Sequence, residues 1–150
     1  MSEASVAVLR ATKVGWAPGG ARLTEWARAA LGKERREVCI RIVGARESRR
    51  LNHLFRGKDY PTNVLSFPYG PDDGQAGAPL GDIAICASVV VREARAQGKT
   101  LAAHWAHMVV HGVLHLQGYD HGTDAEAALM ERRERQVLAR FGFADPYDGE

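Results

Sequence analysis

The stretch HGVLHLQGYDH, residues 111–121, constrains this chain more than any other. Its first residues continue the apolar spacing of Leu101, Trp105, Met108 and Leu114, which predicts a helix from Thr100 to about Leu116. His111 and His115 lie four apart on that helix, so their side chains leave one face about a turn, ~5–6 Å, from each other. Two imidazoles placed so can share one ion, but a straight helix cannot supply a third at a useful angle. Gly118 can take the left-handed conformation that reverses the chain, and the reversal returns His121 to the same point. Any fold for this sequence must therefore hold a helix end, a glycine turn and a short return segment together.

His104 and His107 also lie near this face. His107, His111 and His115 cannot all bind one ion, because the outer pair is separated by about 12 Å along the helix axis. His111, His115 and His121 are thus the expected ligands, with His104 and His107 as lining or supporting groups. The spacing His-x-x-x-His-x-x-Gly-x-x-His is shared with the metzincin peptidases, and three neutral imidazoles leave a fourth zinc position for water. Gly112, however, stands where such peptidases keep the glutamate that moves a proton to the leaving amine. Phosphodiester cleavage asks instead for a metal beside the phosphoryl oxygens and a cation on the phosphate. Asp120, beside the third histidine, could orient a histidine or accept a proton, but in a turn it is expected first to accept a local hydrogen bond.

The rest of the chain reads as an ordinary globular protein. It has 150 residues, 45% apolar and 25% charged, which predicts one soluble domain over 1–150. No export signal and no apolar run near the ~20 residues of a membrane span is visible. Cys39 and Cys86 sit singly in apolar segments, as lone thiols of a reducing cytoplasm would. The net charge of +2 decides little, but Arg41, Arg46, Arg49, Arg50, Arg56 and Lys58 crowd one region.

Strands are expected at 4–11, 38–43, 64–67 and 82–87. Helices are expected at 22–32, at 47–55 with Leu51, Leu54 and Phe55 buried, and after a Ser88 cap across VVVREARAQ. The helix of residues 100–116 follows, then one opened by a Thr123–Glu126 capping box and carrying Met130, Val137, Leu138 and Phe141. PYGPDDGQAGAP, residues 68–79, can hold no regular element and is read as a loop, a flap over a site. The tail ADPYDGE is expected to fray. About four strands and five helices make the chain an α+β protein.

Three segments together carry a resemblance. LNHLFRGKDYPTNVLSFPYG from Leu51 is similar to an LNxxxRxxxxPTDVLSFP segment, GDIAIC from Gly81 to a GDIxIs strand, and HGVLHLQGYDH to the histidine motif of one family. In this order, over about residues 36–140, the chain resembles the YbeY-type bacterial endoribonucleases that act as rRNA maturation factors. The resemblance implies a single mixed sheet packed with helices and one zinc ion on His111, His115 and His121 at the end of a central helix. It implies cleavage of single-stranded RNA, rRNA 3′-end processing and ribosome quality control, with an rRNA precursor and the ribosomal subunit or its associated proteins as partners. The arginine important for activity falls on Arg56, whose guanidinium offers the bidentate phosphate contact that the metal site lacks; Lys58 is the weaker phosphate candidate. The sequence departs from the family at Asn63, where aspartate is usual, and in LAAHWAHMVV, where a more charged segment is usual. Asn63 keeps a turn-capping acceptor but loses any acid/base role. The rival readings are a zinc hydrolase of another substrate, including a peptidase with an unusual base, and a ribosome-associated protein whose zinc is structural.

Overall fold

A computed structural model of the chain describes residues 4–69 and 78–148. Its elements run β1 (Val6–Arg10), α1 (Gly20–Leu31), β2 (Val38–Val43), α2 (Ala45–Arg56), β3 (Val64–Pro68), β4 (Gly81–Cys86), α3 (Ala87–Gln97), α4 (Leu101–Leu116) and α5 (Asp124–Ala139). The four strands form one sheet in the order β1-β2-β4-β3. β1, β2 and β4 are parallel, and β3 joins β4 antiparallel with Val64 opposite Ile85 and Pro68 opposite Gly81. The fold is the expected α+β arrangement of a mixed sheet and five helices. Most of the presumed flap, residues 70–77, lies outside the described residues.

The period-two alternation of the central strands divides two cores. Val38, Ile40 and Ile42 of β2 and Ile83 and Ile85 of β4 face a large cluster shared with α1, α4 and α5. Val43, Ala84 and Cys86 turn to the other face, where they meet Leu65, Val89 and half-buried Leu51 and Phe67. α4 is apolar almost all round, as a helix enclosed by other elements must be. Its residues Trp105, Val109, Val110, Val113 and Leu114 are fully buried, each large side chain contributing roughly 1.5–3 kcal/mol by leaving water. The histidines of α4 are therefore carried on the most enclosed helix among the described residues.

Three local expectations need correction. On α2, Leu54 and Phe55 are 67% and 60% exposed, while Ser48 and Asn52 are buried. The helix is held by polar contacts to the segment that follows it. Ser48 Oγ donates to the Thr62 carbonyl and accepts from the Thr62 N–H, both at 2.9 Å, and Asn52 Nδ2 donates to the Tyr60 carbonyl at 2.8 Å. α3 begins at Ala87 with no side-chain cap, so Ser88 lies inside its first turn. Burial of Val89, Val90 and Val91 outweighs the low helix propensity of that run. The tail, lastly, docks over its described part: Tyr147 packs edge-on against His107, ring centroids 5.5 Å apart, while residues 149–150 lie outside the described residues.

Cys86 is buried and Cys39 half-buried, both as free thiols. Among the described residues no helix is long and apolar enough to cross a membrane.

Candidate metal centre

α4 starts where Thr100 Oγ1 accepts the Ala103 N–H at 3.1 Å and stops at Leu116. Gly118 then takes φ +100°, a conformation that penalises any side chain, and the Tyr119 N–H closes back on the Leu114 carbonyl at 3.2 Å. Asp120 Oδ1 accepts the His121 N–H at 2.7 Å, the local turn role expected for it. This turn brings His121 over His111, their rings stacked at 4.9 Å between centroids and 18° between planes. His111, His115 and His121 line one recess of about 360 Å³ with Asp120, Arg56 and residues 63–66. Arg56 reaches it from the last turn of α2 and has no carboxylate partner among the described residues, whereas Arg41 pairs with Glu47 and Arg49 with Asp59. Lys58, two residues on, is exposed and is not among the residues lining the recess.

Hydrogen bonding fixes the tautomers of the two helical histidines. His115 Nδ1 donates to the Tyr119 carbonyl at 3.0 Å, and His111 Nδ1 donates to Glu134 Oε2 at 2.7 Å. Both partners only accept, so in each neutral ring Nδ1 bears the proton and Nε2 keeps a lone pair. This is how metal-binding histidines are generally oriented from behind.

Glu134 is fully buried. Burial alone would raise its carboxyl, but hydrogen bonds from His107 and His111 outweigh that and hold it at about 2. His107 Nε2 lies 3.4 Å from Oε2, and the Tyr147 hydroxyl donates to Oε1. His107, His111 and Glu134 place one donor atom each within 4.8 Å of one another, a group that could hold a metal ion. The expected trio does not close in this way: His111 and His121 lie ring over ring, with His121 exposed on its turn. Sequence reasoning missed Glu134, although a signal existed. It occupies the apolar stripe, four residues after Met130 and three before Val137, where a carboxylate is costly unless bonded.

Around the recess, Gly112 faces the sheet. A Cβ there would lie 2.9 Å from Ile83 Cγ2 and 3.3 Å from Val64 Cγ2, and the Gly112 carbonyl accepts from Ser66 Oγ at 3.2 Å. Asn63 Oδ1 accepts the Val64 N–H at 2.6 Å, while its Nδ2 donates to Glu93 at 3.1 Å. Glu93 also meets His104 Nε2 at 2.9 Å. Burial would raise Glu93, yet bonds from His104 and Asn63 hold it below the usual carboxylate range.

Fold and site define an α+β protein in which a buried helix presents a candidate metal centre beside an arginine that has no carboxylate partner among the described residues. Residues 20–142 match the family described as Endoribonuclease YbeY. The Endoribonuclease YbeY of Methylococcus capsulatus is 56% identical over 130 residues, 87% of each chain. A solution structure from Thermotoga maritima, 26% identical, covers 96% of this chain and 99% of its own with a TM-score of 0.55. This chain belongs to the YbeY endoribonuclease family.

Proposed function

We propose that this protein is a zinc-dependent endoribonuclease that cuts single-stranded RNA, acting in the cytoplasm in rRNA 3′-end maturation and ribosome quality control, with ribosomal particles as partners. In this reading His111, His115 and His121 hold the ion and Arg56 holds the scissile phosphate. The observation that carries it is the shared recess, which gathers three imidazoles and one guanidinium, unpaired among the described residues, from α2, α4 and the turn after α4. Family membership supports the substrate class.

The donor chemistry fits zinc, for which neutral imidazole nitrogen is a common ligand. With their Nδ1 atoms engaged behind them, His111 and His115 each retain Nε2 for that purpose. Such an ion supplies Lewis-acid polarisation of a phosphoryl oxygen and acidification of water. The planar fork of Arg56 matches two phosphate oxygens and neutralises charge that grows as the phosphorus becomes five-coordinate. Asp120 anchors the turn through Oδ1 on the His121 N–H, and Asn63, an amide committed to Val64 and Glu93, offers no basic group to the attacking oxygen. The attacking group, water or the substrate 2′-OH, then gives its proton to solvent water as it bonds to phosphorus, and the leaving oxygen takes a proton from solvent as its bond to phosphorus breaks. A peptidase reading loses further ground, because the Gly112 position abuts Ile83 and Val64 and has no room for a catalytic glutamate.

The compact His107–His111–Glu134 group is the competing donor set. Zinc content and cleavage of single-stranded RNA, measured on wild type, His115→Ala and Arg56→Ala at matched purity, test the proposal. His115→Ala should lose zinc and cleavage together; Arg56→Ala should keep zinc and lose roughly 10²–10³-fold in rate, the scale of removing one transition-state donor. Full cleavage by Arg56→Ala, or full zinc content in His115→Ala, would overturn the assignment. The product ends identify the nucleophile: a 2′,3′-cyclic phosphate implicates the 2′-OH, a 5′-phosphate implicates water.

A further inference from the structure

Among the described residues Glu134 is the one acidic side chain that is fully buried. A carboxylate so enclosed costs several kcal/mol unless its oxygens are bonded, and here both are. Oε2 takes His111 Nδ1 at 2.7 Å with His107 Nε2 at 3.4 Å, and Oε1 takes the Tyr147 hydroxyl. Tyr147 is itself fastened from several sides. Its N–H donates to Asp145 Oδ1 at 2.8 Å, and Asp145 Oδ2 accepts from Arg135 Nε at 2.8 Å. The Arg135 guanidinium lies 5.5 Å from the tyrosine ring centroid, and Lys99 Nζ donates to the Pro146 carbonyl at 3.3 Å. Three parts of the chain, namely α4, α5 and the segment after α5, thus converge on one carboxylate behind His111.

We propose that Glu134 is a positioning residue: with Tyr147 clamping its far oxygen, it fixes the tautomer and the ring orientation of His111, which makes the C-terminal segment a working part of the metal centre. The proposal rests on the reading of His111, His115 and His121 as the zinc site. Without the carboxylate, the His111 ring is free to turn about its bond to the helix and to exchange tautomers, so that Nε2 carries a proton part of the time. Without the hydroxyl, Glu134 keeps His111 but loses the bond that holds its own rotamer. Both changes weaken the ion's site without removing a ligand, which is the effect expected of a group acting from behind a ligand.

The test compares wild type, Glu134→Gln and Tyr147→Phe as full-length proteins. Zinc affinity is measured by competition with a chromophoric chelator, and the His111 tautomer by long-range proton–nitrogen NMR of the metal-free protein. Glu134→Gln should weaken zinc roughly ten- to a hundredfold and degrade the Nδ1–H signature of His111, and Tyr147→Phe should move both readouts less in the same direction. A merely structural role would lower thermal stability and leave the tautomer unchanged. A folded Glu134→Gln with wild-type zinc affinity and tautomer overturns the proposal. Should that variant not fold, unaltered readouts in Tyr147→Phe overturn it instead. Retention of zinc by His115→Ala would count against the three-histidine site itself, and if Glu134→Gln then lost all zinc the carboxylate would be a ligand. Loss of zinc in His115→Ala with no effect at either cradle residue would count against the cradle alone.

Discussion

Gly112 sits next to a candidate ligand but belongs to the packing of the sheet. Its Cα faces Ile83 and Val64, and an added methyl would meet Ile83 at 2.9 Å. Both neighbours are buried or half-buried strand residues, so little can give. Gly112→Ala should cost about 1–3 kcal/mol, the range for overpacking a core, read from the urea midpoint. Gly112→Glu, which would restore a peptidase pattern in sequence, should fail to fold or fold without peptidase activity; a stable Gly112→Glu protein that cleaves a peptide library would refute the packing argument. Asn63 makes a second prediction at this scale. Its amide donates to Glu93, so Asn63→Asp replaces a donor by a carboxylate about a hydrogen bond away from another. The variant should be less stable than wild type at neutral pH, because a second carboxylate then faces half-buried Glu93, which keeps only its bond to His104. Because protonating either carboxylate relieves the repulsion, the deficit should shrink as the pH falls towards 4; a pH-independent deficit would rule out this cause.

The elements divide by what fixes them. β2 was legible to the residue, and α4 to within one, because VCIRIV and LAAHWAHMVVHGVLHL are decided by burial, which leaves its period in the sequence. The Thr123 cap of α5 was legible for the same kind of local reason, its hydroxyl accepting the Glu126 N–H at 3.1 Å. α2 misled, since Leu54 and Phe55 have helical spacing but the helix docks through Ser48 and Asn52 onto the backbone at 60–62. Such long-range polar clamps carry no periodicity. Glu134 escaped for the same reason: its place in the α5 stripe marks it as costly, but its partners His107, His111 and Tyr147 come from elsewhere in the chain, and only the fold brings them together. Under the proposed phosphate role of Arg56, the clamps on α2 bear on activity, because α2 ends at that residue. Asn52→Ala leaves the Tyr60 carbonyl without its donor and should cost about 1–3 kcal/mol, together with a loss in RNA cleavage as Arg56 is displaced. Leu54→Ala, at an exposed position, should change stability by no more than about 0.5 kcal/mol. Thermal denaturation of the two proteins separates the cases, and equal destabilisation would mean that α2 packs by its apolar side after all.

For the molecule as a whole, buried Glu134 and half-buried Glu93 bear on how the fold responds to acid. Glu134 is held at about 2 against an ordinary 4.5, and Glu93 is also lowered. A carboxyl depressed in the folded state binds its proton more readily when unfolded, so its contribution is complete above 4.5 and declines as the pH falls towards 2. Metal-free protein should therefore lose stability steeply between about pH 4.5 and 2, and Glu134→Gln should flatten that slope while lowering stability at pH 7. An ion adds a second, independent lever. Zinc that binds the folded chain alone stabilises it by RT ln(1 + [L]/Kd), about 2.7 kcal/mol at a hundredfold excess over Kd. In a chain of this length that corresponds to roughly 5–10 °C in Tm. The shift should vanish in His121→Ala, whose ring is exposed and contributes little to the core, so its metal-free Tm should match that of wild type. His107→Ala provides the contrast, since it dismantles the compact His107–His111–Glu134 group and leaves the three-histidine recess in place. A zinc-dependent shift that survives in His121→Ala and disappears in His107→Ala would move the ion from the recess to the buried carboxylate.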